Sequence, residues 1–243
     1  MFRPAAHLVV LALAPLRVPP PAVVLAAGAT GLVAAYLLGS EAFVAAALLL
    51  QLKTVLDNAD GQLARAAGRV TALGRYLDSE SDLVVDAAIF AGIGWATGRW
   101  ALAGAGFACL TLVLGVNYNV ERLYRRERGD PAEAMPPASG VAGVLARAYT
   151  VVYAPQDRLV ERFVEARLRG RSPRARLAYH DRATVSVLAN FGLSTQLAAL
   201  GVCLAAGRPA AYAWVAVACA IALVSLALRR ELLLRRFVQH EEV

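Results

Sequence analysis

Six runs of apolar residues, separated by short polar or glycine-containing breaks, dominate the sequence. They cover residues 22–38, 41–56, 83–98, 100–118, 183–206 and 209–228. Each run approaches the roughly 20 residues that a helix needs to cross the hydrocarbon layer of a membrane. Breaks such as Gly39-Ser40 are too short to form anything but a turn. We therefore predict an all-α integral membrane protein with six transmembrane helices.

The second and third helices extend beyond their apolar runs. The second passes into the polar stretch 57–65 with no proline to stop it, and the third begins near Gly74, ahead of its apolar part. The polar ends of the two helices are therefore expected at the same edge of the membrane.

The first 18 residues form a different kind of segment. Their apolar stretch is short and ends at Arg17 and a run of three prolines, without the small-residue cleavage site of a signal peptide. An apolar face with basic flanks is typical of a helix that lies in the membrane interface. We predict an N-terminal interfacial amphipathic helix at residues 1–18.

Residues 119–182 contain many arginines and five prolines, but no run long enough to span a membrane. We expect this to be a long cytoplasmic segment between the fourth and fifth spans of a single membrane domain, residues 1–243. Within it, residues 141–168 alternate apolar and charged positions at helical spacing, which predicts another surface helix.

Composition agrees with a membrane location. Hydrophobic residues make up 58% of the chain and mean hydropathy is +0.53, above the roughly 45–50% apolar usage of soluble domains. Of the 25 Lys and Arg residues, only Arg99 and Arg208 fall on the far side of the six-span topology. Basic loops stay cytoplasmic, so we predict a multi-pass protein of the cell membrane with its polar helix ends and both termini in the cytoplasm. The net charge of +7 is then a membrane-surface property, and no nucleic-acid partner is expected.

Four aspartates carry the candidate chemistry. Asp57 and Asp60 are three residues apart on the second helix, and Asp78 and Asp82 are four apart on the third, so each pair shares a helical face. Four carboxylates at a membrane edge require protons or cations to compensate them. Oxygen ligands without His or Cys suit Mg²⁺ or Mn²⁺, and two ions are a recurrent solution for displacement at phosphorus.

The residues between the two pairs are small or basic. Gly61, Ala64 and Gly74 leave room for a ligand beside the backbone. Arg65 has the planar donor fork that binds phosphate, although a basic residue there is also typical of a cytoplasmic membrane anchor.

The 26 residues DNADGQLARAAGRVTALGRYLDSESD, from Asp57 to Asp82, match DxxDGxxARx8GxxxDxxxD at every defined position. In this the chain resembles the CDP-alcohol phosphotransferase (CDP-alcohol phosphatidyltransferase) family. The resemblance implies that Asp57, Asp60 and Asp78 hold the metal ions and that Asp82 is a further ligand or the general base for the acceptor hydroxyl. It also implies a CDP site formed by Gly61, Ala64, Arg65 and Gly74.

The implied reaction moves a phospho-alcohol group from a CDP-alcohol, here expected to be CDP-diacylglycerol, to a small polar alcohol such as glycerol phosphate or inositol phosphate. CMP is the second product, and the resemblance also implies a homodimer. Two alternatives stay open. In one, CDP carries a small headgroup and the hydroxyl belongs to a lipid; in the other, the chain is a transporter or ion pathway whose carboxylates carry protons or cations.

The acceptor site is less well defined by the sequence. Arg122, Arg125 and Arg126 could bind a phosphorylated acceptor or only cap the fourth span. Ser194, in the fifth span, could line an acceptor cavity or join two helices. Leu83 stands directly after the last motif aspartate, where many relatives have a basic residue.

Overall fold

The computed structural model describes residues 2–130 and 139–241, with side chains up to residue 237, and within these ranges all regular structure is helical. The helices are α1 (Arg3–Leu13), α2 (Pro20–Gly39), α3 (Phe43–Ala66), α4 (Ala72–Thr97), α5 (Trp100–Glu127), α6 (Gly140–Val152), α7 (Ala154–Leu168), α8 (Pro173–Tyr179), α9 (Arg182–Ala189), α10 (Leu193–Ala205) and α11 (Pro209–Glu241). The predicted all-α class is confirmed.

Within the described part of the chain, four helical segments are long and apolar enough to cross a membrane. They are α2, α5, residues Pro173–Ala205 and residues Pro209–Phe237. Helices α3 and α4 have 24 and 26 residues, but they carry the charged motif residues. The chain is thus a helical membrane protein, and the count of six spans stays a prediction.

Two predicted helices are interrupted. The run 183–206 breaks at residues 190–192 between α9 and α10, where the Asn190 side chain donates a hydrogen bond to the Ser186 carbonyl at 2.8 Å and Gly192 has extended backbone. Asn side chains that bond nearby backbone favour such breaks. The surface helix 141–168 is likewise two helices, because Pro155 lies at the start of α7.

Close packing of α2 against α4 positions the motif. A Cβ at Gly92 would lie 2.8 Å from the Ala35 carbonyl oxygen, so only glycine allows the two backbones to approach this closely. Leu38, Leu50 and Ile89 are fully buried where α2, α3 and α4 meet. The charged ends of α3 and α4 are thereby held side by side.

Helix α1 packs on the polar end of α3. Ala6 and Val10 are buried against Ala59 and Leu63, while Leu8 on the opposite side is exposed. The predicted N-terminal helix is present and two-faced, and its place in the membrane interface stays a prediction.

The segment between α5 and α9 folds back onto the bundle. Helices α7 and α8 bury Val164, Leu168 and Tyr179 against Leu123 of α5. Helix α6 lies on α4, where the Tyr149 and Tyr76 rings meet edge to face at 5.7 Å. This segment therefore covers one side of the motif helices.

Candidate functional site

Three of the four motif aspartates converge. Asp57 and Asp60 on α3 and Asp78 on α4 each offer a carboxylate oxygen, and these oxygens lie within 4.8 Å of one another. Asp60 is only 6% exposed, and its Oδ2 accepts no hydrogen bond from the described residues. A buried carboxylate oxygen without a partner is costly unless a cation or proton satisfies it. The three residues thus fit a divalent cation, and their all-oxygen donor set suits Mg²⁺ or Mn²⁺.

Asp82 has a different environment. It is not part of the three-carboxylate group and instead accepts a hydrogen bond from Lys53 Nζ of α3. The same ammonium lies 3.1 Å from Asp57 Oδ1, and Lys53 is only 1% exposed. Lys53 therefore connects the group of Asp57, Asp60 and Asp78 to Asp82.

Sequence reasoning missed Lys53. Its signal is a lysine in the middle of an apolar run, four residues before Asp57, where side chains on a helix meet. A basic residue at that depth is rare unless it is paired.

A first cavity of about 300 Å³ opens beside the three carboxylates. Its lining includes Asp60, Asp78 and the four residues predicted for CDP, namely Gly61, Ala64, Arg65 and Gly74. The Thr71 hydroxyl accepts the Gly74 N–H at 3.1 Å and so caps α4 at the cavity wall. Arg69 and Arg75, which sequence reasoning did not select, add positive charge to the lining. Such a cavity suits a phosphate-bearing ligand.

A second cavity of about 340 Å³ lies on Asp82 and shares no lining residue with the first. Its lining includes three carboxylates and three phenols, contributed by Asp82, Asp86, Asp157, Tyr118, Tyr149 and Tyr153. Asp82 is thus the motif aspartate that faces a separate space.

The three arginines predicted to bind the acceptor are instead paired with glutamates. Arg122 donates to Glu161 Oε1 at 2.7 Å, and Arg125 pairs with Glu121 at 3.2 Å. Arg126 lies 4.0 Å from Glu165. None of the three arginines lines either cavity, an arrangement that favours the helix-capping alternative.

Ser194 also makes a helix-to-helix contact. Its Oγ accepts a hydrogen bond from Asn58 Nδ2 of α3 at 3.2 Å. Nearby, the Gln51 amide donates to the Leu197 carbonyl at 3.2 Å. These bonds join α3 to α10, which favours the alternative that Ser194 connects two helices.

Comparison with known proteins gives a consistent picture. The sequence profile of the CDP-alcohol phosphatidyltransferases matches residues 18–165, more than half of the chain. The "bifunctional IPC transferase and DIPP synthase" of Thermococcus kodakarensis is 40% identical over 80 residues, which is 32% of this chain and 18% of that protein. The chain thus spans less than a fifth of the length of this curated relative. No solved structure matches the chain.

Proposed function

The chain belongs to the CDP-alcohol phosphatidyltransferase family and is a transferase of phosphate-containing groups, and from this premise we propose its donor, acceptor and catalytic residues. The donor is CDP-diacylglycerol, and the acceptor is the hydroxyl of a small polar alcohol. The products are a phospholipid and CMP. The reaction takes place at the cytoplasmic face of the cell membrane, where a lipid donor stays in the bilayer and the acceptor arrives from water.

The division of the four aspartates between two cavities carries the proposal. Asp60 and Asp78 line the first cavity, and Asp57 lies in the same group of three carboxylates, whereas Asp82 lines the second cavity. In a transfer between two substrates, donor and acceptor must approach the reacting phosphorus from different directions. Two cavities that meet the motif from separate sides provide those directions.

Each motif residue then has a role. Asp57, Asp60 and Asp78 would hold one or two Mg²⁺ or Mn²⁺ ions, which when bound neutralise the charge of the pyrophosphate. Gly61, Ala64, Arg65 and Gly74 would bind the CDP part in the first cavity.

Asp82 would act as the general base. Its carboxylate takes the proton of the acceptor hydroxyl while the oxygen attacks the phosphorus distal to cytidine. The bond from that phosphorus to the bridging oxygen breaks, and CMP leaves with the electron pair. Lys53, bonded to Asp82, orients the carboxylate.

A donor-exchange experiment tests the reaction. Purified protein with Mg²⁺ is given CDP-diacylglycerol and a panel of small alcohols, or CDP-linked small alcohols and diacylglycerol, and CMP is followed. We expect acceptor-dependent CMP only from CDP-diacylglycerol. CMP only from the second set would establish that CDP carries the small headgroup and that the lipid supplies the hydroxyl. No CMP from either set would favour a transporter.

The homodimer that the family resemblance implies is part of the same proposal. Crosslinking of the protein in liposomes at low protein density tests it, with a dimer as the expected product.

A further inference from the structure

We infer that the second cavity is the acceptor pocket and that it selects an alcohol without a phosphate group, either a neutral polyol or an amino alcohol. This inference rests on the proposed function, because it assigns the other substrate of the same reaction. It concerns the charge of the acceptor, which the family assignment leaves open.

The position of the cavity makes it an acceptor pocket. Asp82, the proposed base, is part of its wall, and the wall also contains Ser79 and Thr111. At about 340 Å³ it falls at the small end of ligand pockets, which span roughly 300–1,000 Å³. It therefore suits a small molecule better than a lipid with two acyl chains.

The charge of the wall argues against an anionic acceptor. Asp82, Asp86 and Asp157 line the cavity, and no Lys or Arg of the described residues lines it. Phosphate recognition in proteins uses Arg, Lys or clustered backbone N–H groups. A phosphorylated acceptor would bring two further negative charges toward this wall, where Lys53 compensates Asp82 but no Lys or Arg of the described residues forms an ion pair with Asp86 or Asp157.

Asp86 independently indicates a hydrogen-bond donor as the ligand. It is 6% exposed, lies one helical turn beyond Asp82, and accepts no hydrogen bond from residues 2–130 or 139–237. Buried carboxylates are normally bonded or paired. A hydroxyl or ammonium group of the acceptor would supply the missing donor.

Arg122 is the cation to consider at the rim. Its guanidinium lies 5.8 Å from the centre of the Tyr118 ring. It donates to Glu161 at 2.7 Å and to Asn119 Oδ1 at 2.8 Å. Since Asn119 in turn donates to Asp157 at 2.6 Å, Arg122 Nη2 is part of a bonded network, whereas Nε has no hydrogen-bond partner among the described residues. The Glu161 carboxylate compensates the charge of this guanidinium, and Arg122 does not line the cavity.

The phenols of the second cavity suit an uncharged or cationic ligand. The Tyr149 and Tyr153 rings lie 4.9 Å apart, and the Tyr153 hydroxyl donates to the Ser79 carbonyl at 3.4 Å. Burial raises the pKa of both phenols, so they stay protonated and uncharged. Aromatic faces with polar edges bind ammonium groups and polyols.

Matched acceptor pairs test the inference. With CDP-diacylglycerol and Mg²⁺, CMP release is compared for inositol and inositol 1-phosphate, glycerol and glycerol 3-phosphate, and ethanolamine and phosphoethanolamine. We expect kcat/KM at least about tenfold higher for the unphosphorylated member of one pair, since tenfold corresponds to a single good charged contact. Higher kcat/KM for inositol or glycerol than for ethanolamine would identify the acceptor as a polyol, and the opposite order would identify it as an amino alcohol.

Equal or better use of the phosphorylated members would overturn the inference while leaving the proposed transfer intact. CMP release from none of the six would instead contradict the proposed function, and the inference would fall with it.

Variants that change the charge of the wall give a second test. Leu83, part of the lining, is replaced in Leu83→Arg, and Asp157→Asn removes one negative charge at nearly constant shape. Both should raise the ratio of phosphorylated to unphosphorylated acceptor use, by about tenfold for the arginine. Asp130→Asn removes an exposed carboxylate outside the cavity and should leave the ratio unchanged. If Asp157→Asn changes this ratio no more than Asp130→Asn does, the pocket assignment is contradicted. This comparison holds even if the arginine variant fails to fold.

Discussion

Lys53 compensates two carboxylates at once, Asp57 and Asp82, and it does so at a fully buried position. Removing one partner of a buried charge pair costs about 3–5 kcal/mol, because the remaining charge is left uncompensated. We therefore expect Lys53→Met to lower the thermal unfolding temperature in detergent without divalent metal and to abolish activity. Lys53→Arg, which keeps the charge, should lose less stability. Equal unfolding temperatures for the wild type and Lys53→Met would show that the contacts carry no stability.

The motif aspartates could be predicted because their spacing is local. Residues three or four apart share a helix face whatever the rest of the fold does, and the structure brings three of the four together. Lys53 and Asp86 could not be assigned in the same way. The spacing places Lys53 beside Asp57 on α3, but the contact of Lys53 with Asp82 on α4 and the cavity beside Asp86 depend on other helices, which the spacing does not encode.

At the scale of the elements, the contact between α2 and α4 depends on glycine. A Cβ at Gly92 would lie 2.8 Å from the Ala35 carbonyl oxygen, whereas a Cβ at Gly104 on α5 would meet nothing within 4 Å. Overpacking of this kind costs about 1–3 kcal/mol. Gly92→Ala should lower the unfolding temperature and the activity together, while Gly104→Ala should change neither. Equal unfolding temperatures and activities for the two variants would show that the packing of α2 on α4 does not require glycine at position 92.

The apolar runs were sufficient to place most of the long helices, because burial in lipid requires long apolar segments. They did not locate the breaks at residues 190–192 and at Tyr153, which depend on single Asn, Gly and Pro residues inside apolar stretches. The second cavity could not be predicted either. It forms only because α6 and α7 fold back over α4 and α5, a contact between segments distant in sequence.

For the whole molecule, the distribution of basic residues predicts the orientation. Arg208 should lie outside the cell and Arg171 in the cytoplasm, and both side chains are exposed. In a background without Cys109, Cys203 and Cys219, an impermeant maleimide on intact cells should label Arg208→Cys and not Arg171→Cys. Permeabilised cells should allow both to react. Labelling only of Arg171→Cys in intact cells would reverse the orientation.

The separate roles of the aspartates are the central claim, and comparing turnover with donor binding for Asp82→Asn and Asp78→Asn tests it most directly. Mg²⁺-dependent CMP release and CDP-diacylglycerol binding are measured on the same preparations. Asp82→Asn should lower kcat by about 10²–10⁴, the usual contribution of a general base, and keep donor binding. Asp78→Asn should weaken Mg²⁺ and donor binding together. Turnover by Asp82→Asn at the wild-type rate, or unchanged Mg²⁺ affinity in Asp78→Asn, would contradict the account.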